Sequence, residues 1–173
     1  VEVACRRDRP AGAVAGRQPE PAGPAVKAAV ALELTHSALL IHDDVMDNDD
    51  TRRGRPSFHR QYQTIGKNKN LKDSAGFGVS MAICGGDATM FLAFELLAEC
   101  DDQAQIPPAV KRLFVDQLAK VCAGQMQDIY FEALPDTPSK DDIYGLMRAK
   151  TASYTLALPL AMGGALAGQS AAV

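Results

Sequence analysis

A long apolar segment, residues 25–46, contains neither glycine nor proline. Its apolar side chains recur at helical spacing, at Val26, Val30, Leu34, Leu39, Leu40, Ile41 and Val45. At 3.6 residues per turn, the segment makes about six turns of α-helix. We therefore predict one long helix that is mostly buried.

Five carboxylates lie within eight residues at the end of this helix, Asp43, Asp44, Asp47, Asp49 and Asp50. Asp43 and Asp47 are four residues apart and project the same way, whereas Asp44 lies about 100° around the helix axis. Like charges at this spacing repel each other and destabilise a helix. Uncompensated carboxylates at the end of a buried helix therefore indicate that a cation completes the cluster.

Three arginines follow the acids, Arg52, Arg53 and Arg55. Planar guanidinium groups suit phosphate oxygens, and Mg²⁺ is commonly held by one or two carboxylates together with substrate phosphates. The pattern predicts a Mg²⁺–diphosphate site. An EF-hand loop does not fit, because Arg52 or Arg53 would occupy a required position. The remaining alternative is a solvated acidic helix end followed by a basic turn.

These residues resemble the first aspartate-rich motif of the trans-isoprenyl diphosphate synthases, the polyprenyl synthetase family. The resemblance is carried by Glu-Leu-Thr-His at 33–36, Leu-Ile-His-Asp-Asp-Val-Met-Asp at 40–47 and Arg-Arg-Gly-Arg-Pro at 52–56. It implies an all-α protein, an antiparallel helical bundle of the isoprenoid synthase type. It also implies Mg²⁺-dependent, head-to-tail condensation of isopentenyl diphosphate with an allylic diphosphate to give a longer trans-polyprenyl diphosphate.

The resemblance assigns roles to the acids and arginines. Asp43 and Asp47 would be the direct Mg²⁺ ligands and Asp44 a supporting one, and all three count as catalytic residues. Arg52 would hold the allylic diphosphate and Arg53 the diphosphate of isopentenyl diphosphate.

Three further segments resemble family motifs. Arg6 and Arg9 lie in a segment like the early Lys-Arg-x-Arg-Pro motif and would bind isopentenyl diphosphate together with His36; the alternatives are a solvated basic tail and a core histidine. Lys150 and Thr151 match a Lys-Thr motif and would meet the allylic diphosphate, with Lys150 counted as catalytic. In a Gly-Gln-x-x-Asp segment, Gln125 and Asp128 would line the cavity or form a plain polar helix face.

Ala38 and Leu39, which precede the first aspartate of the motif by about one helical turn, bear on the length of the product. In the family, side chains one to two turns before that aspartate form the floor of the chain-elongation pocket. Ala38 and Leu39 occupy those places here, and Ala38 is small where short-chain enzymes usually have an aromatic residue. We expect a geranylgeranyl or longer product.

The positions of the prolines divide the chain into two segments. Prolines at 10, 19, 21 and 24 make residues 1–24 an irregular or partly ordered segment, followed by a partial isoprenoid-synthase helical domain at 25–173. The family's second aspartate-rich helix has no counterpart in the sequence. We therefore expect a truncated bundle, an incomplete fragment that is inactive alone.

Other elements can be predicted locally. The polar residues 58–70 predict a loop over the mouth of the site. Residues 78–100 predict apolar helix broken at Gly85-Gly86-Asp87, with Asp87 capping the second part. A further helix begins at 106–108, with proline in its first turn. Ser139 and Asp142 predict a capping box that starts the next helix. We interpret His42 as a structural residue.

Composition excludes several classes of protein. The net charge of −3 gives no case for nucleic-acid binding. Four scattered cysteines predict neither a zinc site nor disulfides, and indicate a cytoplasmic protein. Residues 151–173 carry no charge, but glycine, proline and polar residues interrupt them, so we expect no membrane span.

The family allows a homodimer. The alternative functions are a class I terpene cyclase and a non-catalytic subunit of a hetero-oligomeric synthase.

Overall fold

The computed structural model describes residues 23–102 and 107–167. The helices are α1 (Pro24–Met46), α2 (Phe58–Asn68), α3 (Ser74–Asp102), α4 (Pro108–Glu132), α5 (Lys140–Met147), a π-helix (Arg148–Ala157) and α6 (Leu158–Leu166). Two antiparallel two-residue strands, β1 (Thr51–Arg52) and β2 (Arg55–Pro56), form a hairpin between α1 and α2. The predicted all-α bundle is confirmed. The predictions for Arg6, Arg9 and residues 1–22 lie outside the described residues.

Helix α1 begins with Pro24 in its first turn, where no backbone hydrogen bond is lost, and runs without interruption to Met46. It ends where Asn48 takes a left-handed conformation, φ 54°. The prediction that α1 is mostly buried is wrong, because Val26 and Val30 are exposed. The helix packs mainly against α3 through a narrow face of small residues, so burial is confined to Ala28, Ala31, Thr35, Ala38 and Asp44.

The hydrophobic core lies between α1, α3, α4 and α6. Phe114 of α4 is fully buried, and its ring meets that of Phe94 edge to face at a centroid distance of 5.8 Å. Leu158 and Met162 of α6 complete this cluster. This packing holds α1, which carries the acids, at a fixed position relative to α4 and the π-helix.

Two local predictions are wrong. The segment predicted as a loop at 58–70 contains helix α2 (Phe58–Asn68), because Phe58 and Tyr62 supply an apolar edge on an otherwise polar segment and α2 packs on α3. Helix α3 is continuous through Gly85 and Gly86. The glycines serve close approach instead: a Cβ at Gly85 would lie 2.8 Å from the Phe58 ring, and one at Gly86 would overlap the His42 ring.

The predicted capping box of α5 is confirmed. The Ser139 hydroxyl accepts a hydrogen bond from the Asp142 amide at 3.2 Å, and the Asp142 carboxylate accepts one from the Ser139 amide at 3.1 Å.

Two helices, α1 and residues 74–99 of α3, are long and apolar enough to cross a membrane by length and composition. Core helices of water-soluble bundles pass the same test, so this is weak evidence for a span. Within the described part of the chain, the uncharged segment beginning at Thr151 does not meet this criterion.

Candidate active site

A cavity of about 430 Å³ lies between α1, α4 and the π-helix. Its lining is largely apolar, with Leu39, Leu40 and Met46 from α1 and Val121, Met126 and Ile129 from α4. The polar side chains that line it are His36, His42, Asp43, Cys122, Gln125, Lys150, Thr151, Tyr154 and Thr155. The cavity therefore combines an apolar surface with charged groups, as a ligand with an apolar chain and an ionic head requires.

Lys150 connects the acids of two helices at this cavity. Its Nζ lies 3.3 Å from Asp43 Oδ1 on α1 and 2.5 Å from Asp128 Oδ2 on α4. Burial acts to lower the pKa of Lys150, but the hydrogen bond to Asp128 and the charge of Asp43 outweigh it, and the pKa is raised. Lys150 is therefore a fixed cation in the cavity wall.

Asp44 faces a different partner. Its side chain is almost completely buried, and Arg52 Nε donates to Asp44 Oδ1 at 2.6 Å. Arg52 Nη2 also lies 3.2 Å from Asp49 Oδ2 and 3.5 Å from Asp43 Oδ2. The hydrogen bond to Asp44 raises the pKa of Arg52 further. Asp44 thus anchors the guanidinium beside Asp43, and its supporting role at a metal stays a prediction.

The β1–β2 hairpin determines where the arginines lie. Arg52 pairs with Arg55 across the hairpin, and the turn between them contains Arg53 at φ 53° and Gly54 at φ 75°. Left-handed backbone favours glycine, which explains Gly54 in the Arg-Arg-Gly-Arg run. The turn directs Arg52 back to the end of α1.

Asp43 and Asp47 lie one helical turn apart, with the Asp47 amide donating to the Asp43 carbonyl at 2.9 Å. Burial, and then the charge of Asp43, raises the pKa of Asp47. No salt bridge joins Asp47 to a cation within residues 23–102 and 107–167. A divalent cation would relieve this repulsion, and two carboxylate oxygens are what Mg²⁺ typically takes from a protein. Residues Asp43 and Asp47 therefore fit the ion.

Among the residues that the structure describes, Asp43 and Asp47 are the two acids that we assign to such a site. Nowhere in the described residues do three or more His, Cys, Asp or Glu side chains converge as a metal cage. The remaining ligands would have to come from water and from a phosphate group.

His36 and Arg53 line separate cavities. His36 lines the main cavity, whereas Arg53 lines a smaller one of about 220 Å³ beside the hairpin, together with Arg52, Asp44 and Gln61. Leu40 borders both cavities. The structure therefore brings the two residues to neighbouring cavities rather than to one pocket. Their shared role, the binding of isopentenyl diphosphate, stays a prediction.

The other predicted residues are placed as follows. Gln125 and Thr151 line the main cavity, and Asp128 reaches it through Lys150. Leu39 lines the cavity, but Ala38 is fully buried and lies outside its lining.

His42 lies against α3, where its Nε2 is 3.2 Å from the Ile83 carbonyl oxygen and 3.4 Å from Asp87 Oδ1. Asp87 therefore contacts His42 from within a continuous helix rather than capping a new one.

Tyr154 and Gly124 were not predicted from the sequence. The Tyr154 hydroxyl lies 3.0 Å from His36 Nδ1, and its position four residues after Lys150 is a spacing that indicates a shared helix face. Gly124 allows α4 to approach the π-helix closely. The π-helix that carries Lys150, Thr151 and Tyr154 has no recognisable sequence signal; such segments occur frequently at functional sites.

The helical bundle, together with the positions of its acids, arginines and lysine, defines a protein of the isoprenoid synthase type. The chain belongs to the polyprenyl synthetase family, whose model matches residues 11–173.

Among its relatives is the farnesyl diphosphate synthase of Geobacillus stearothermophilus, 36% identical over 151 residues that cover 82% of this chain and 46% of that protein. The geranylgeranyl diphosphate synthase of Mycobacterium tuberculosis is 35% identical over 133 residues, covering 77% of this chain and 33% of that protein.

A solved structure is also similar, that of geranylgeranyl pyrophosphate synthase from Corynebacterium glutamicum complexed with isoprenyl diphosphate and magnesium. It has a TM-score of 0.78 and 35% identity, and the match covers 84% of this chain and 41% of that chain. The chain spans less than half the length of these relatives.

Proposed function

We propose that this chain contributes the first metal-binding wall of a trans-prenyltransferase that lengthens an allylic diphosphate with isopentenyl diphosphate. The observation that carries the proposal is the position of Asp43 and Lys150 at a cavity whose lining is otherwise largely apolar. A prenyl diphosphate has the same two parts, an apolar chain and an anionic head. The family membership of the chain supports this substrate class.

The proposed reaction begins with cleavage of the allylic carbon–oxygen bond, and the electron pair leaves with pyrophosphate. The double bond of isopentenyl diphosphate attacks the allylic cation, a carbon–carbon bond forms, and loss of a proton restores a double bond. The product is one isoprene unit longer.

Negative charge develops on the departing pyrophosphate, so the chain's contribution is to hold positive charge at that place. Asp43 and Asp47 would hold Mg²⁺, which neutralises the leaving group when bound. Lys150 and Arg52 are cations in fixed positions, since Asp128 and Asp44 respectively hold their side chains. The magnesium in the corynebacterial relative supports this assignment.

For the product, we propose a geranylgeranyl or longer chain; the support is the resemblance of positions 38 and 39 to the family pattern and the place of Leu39 in the cavity lining. The relatives are named both farnesyl and geranylgeranyl diphosphate synthases. We further propose a cytoplasmic homodimer. The free thiols Cys84 and Cys122 fit a reducing compartment.

Ligand binding tests the proposal, because the chain spans less than half the length of its relatives. Isothermal titration with geranyl diphosphate should show saturable binding in Mg²⁺ that weakens at least about tenfold in EDTA. Lys150→Ala should weaken binding at least about fivefold, as expected for one lost charge-assisted hydrogen bond. The exposed Lys140→Ala is the matched control. Binding without Mg²⁺ dependence, or equal binding by Lys150→Ala, would contradict the proposal.

A second titration with isopentenyl diphosphate separates a synthase from a terpene cyclase. A synthase needs a site for both diphosphates, so both should bind to one chain. Binding of the allylic diphosphate alone would favour the cyclase.

A further inference from the structure

Tyr154 lines the main cavity, and the proposed function gives it no role. Its side chain projects from the π-helix toward α1, where the hydroxyl lies 3.0 Å from His36 Nδ1 and the two rings are 5.9 Å apart. Both side chains are partly buried and both line the cavity. The contact joins two elements that are 118 residues apart in the sequence.

The 3.0 Å contact allows two directions of hydrogen bonding: the Tyr154 O–H donates to an unprotonated Nδ1, or Nδ1–H donates to the phenol oxygen. Burial, and then the charge of Asp43, raises the pKa of the Tyr154 phenol, so the group keeps its proton near neutral pH in both arrangements. The two arrangements differ in what His36 presents at Nε2, and only the first suits an anion.

A neutral imidazole carries one proton, so an Nδ1 that accepts leaves the proton on Nε2. Nε2 of His36 makes no hydrogen bond within residues 23–102 and 107–167. In this tautomer Nε2–H is an available donor on a residue that lines the cavity. A diphosphate oxygen accepts hydrogen bonds, so it requires such a donor. The opposite tautomer would present a lone pair, which repels an anion.

We propose that Tyr154 is a positioning residue for diphosphate binding: its hydroxyl donates to His36 Nδ1 and thereby fixes Nε2–H as a donor toward the anion. The assignment of the anion as a diphosphate rests on the proposed function. The tautomer is measured without any ligand, so that measurement is independent of the proposed function.

The tautomer is tested by long-range ¹H–¹⁵N correlation spectra of the histidine side chains in the unliganded chain, with His36 assigned by its loss in His36→Ala. The wild type should show an unprotonated Nδ1 and a protonated Nε2. Tyr154→Phe should shift the His36 Nδ1 resonance toward a mixture of tautomers. Tyr144→Phe, an exposed tyrosine on α5, is the matched control and should leave the spectrum unchanged. A protonated Nδ1 in the wild type, or an unaltered His36 signal in Tyr154→Phe, would overturn the proposal.

A double-mutant cycle tests the consequence for binding, with inorganic pyrophosphate and Mg²⁺ as the probe. Tyr154→Phe should weaken binding about 3- to 10-fold, as expected for one hydrogen bond. In the His36→Ala background the same change should have no further effect, because Tyr154 acts through His36. An equal loss in both backgrounds would show that Tyr154 acts independently and would overturn the positioning role. Thermal melting of each variant confirms that the comparison is made between folded proteins.

One outcome separates the two proposals: the wild type and all variants fail to bind pyrophosphate while the His36 nitrogen resonance still shifts in Tyr154→Phe. In that case the proposed function fails and the hydrogen-bond assignment stands.

Discussion

Gly124 of α4 lies directly against the backbone of Lys150: a Cβ at Gly124 would be 2.9 Å from the Lys150 amide nitrogen and 3.2 Å from the Ala149 carbonyl carbon. Backbone atoms cannot move aside as a flexible side chain can. This close approach places Asp128, one turn further along α4, within reach of Lys150. The glycine thus determines the distance between the two walls of the cavity.

Gly124→Ala should therefore destabilise the protein. The added methyl must push α4 away from the π-helix, and overpacking of this kind costs about 1–3 kcal/mol. Urea unfolding followed by circular dichroism measures the loss. Gly145→Ala is the control, because nothing lies within 4 Å of a Cβ there; removal of a helical glycine should stabilise by about 0.5–1 kcal/mol. Equal effects at the two glycines would contradict the packing argument.

The buried Asp44 and the half-exposed Asp49 both contact Arg52, but they should differ in their contribution to stability. Asp44→Ala removes a buried, charge-assisted partner and should lower the free energy of unfolding by about 1.5–3 kcal/mol. Asp49→Ala removes a solvent-screened partner, which should cost about 0–1 kcal/mol. Chemical denaturation of the two variants provides the comparison. A larger loss for Asp49→Ala would contradict the assignment of Asp44 as the anchor of Arg52.

His59 should make stability dependent on pH. Burial, and then the charge of Arg60, lowers the pKa of His59 from its ordinary 6.5. The unfolded chain therefore binds the proton more readily, and the stability present above pH 6.5 is lost as pH falls from there through the lowered pKa. Melting temperatures between pH 7.5 and about 5 should fall more steeply for the wild type than for His59→Asn. The prediction fails if the two profiles have the same slope.

Leu39 lines the cavity and should influence the length of chain that binds. Leu39→Phe reduces the apolar volume, so geranylgeranyl diphosphate should lose at least about fivefold more affinity than geranyl diphosphate, measured by titration in Mg²⁺. Leu160→Phe on the exposed face of α6 is the control. An equal loss for both ligands would argue that Leu39 does not contact the growing end of the chain.

Local signals in the sequence were sufficient for several elements. The uninterrupted apolar run predicted α1 to within one residue, and the Ser139–Asp142 pair predicted its capping box, since both depend on neighbours in the chain. Helix α2 was missed because its apolar edge is short and is stabilised by packing on α3, which is a tertiary effect.

In the candidate site, too, features that depend on near neighbours in the sequence could be predicted, whereas features that depend on tertiary packing could not. The helical spacing of Asp43 and Asp47 was readable, whereas the ion pairs from Lys150 to Asp43 and Asp128 join residues far apart in the sequence. The π-helix and the contact between Tyr154 and His36 depend on how two helices pack, which no local pattern encodes.

Asp43 and Asp47 together should hold a divalent cation that carries a diphosphate. Mn²⁺ in place of Mg²⁺, titrated in the presence of geranyl diphosphate and followed by the electron paramagnetic resonance of free Mn²⁺, measures this directly. We predict that Asp43→Asn and Asp47→Asn each weaken Mn²⁺ binding at least about tenfold, while the exposed Asp141→Asn binds as the wild type does. Unchanged Mn²⁺ binding by the Asp43 and Asp47 variants would contradict the account.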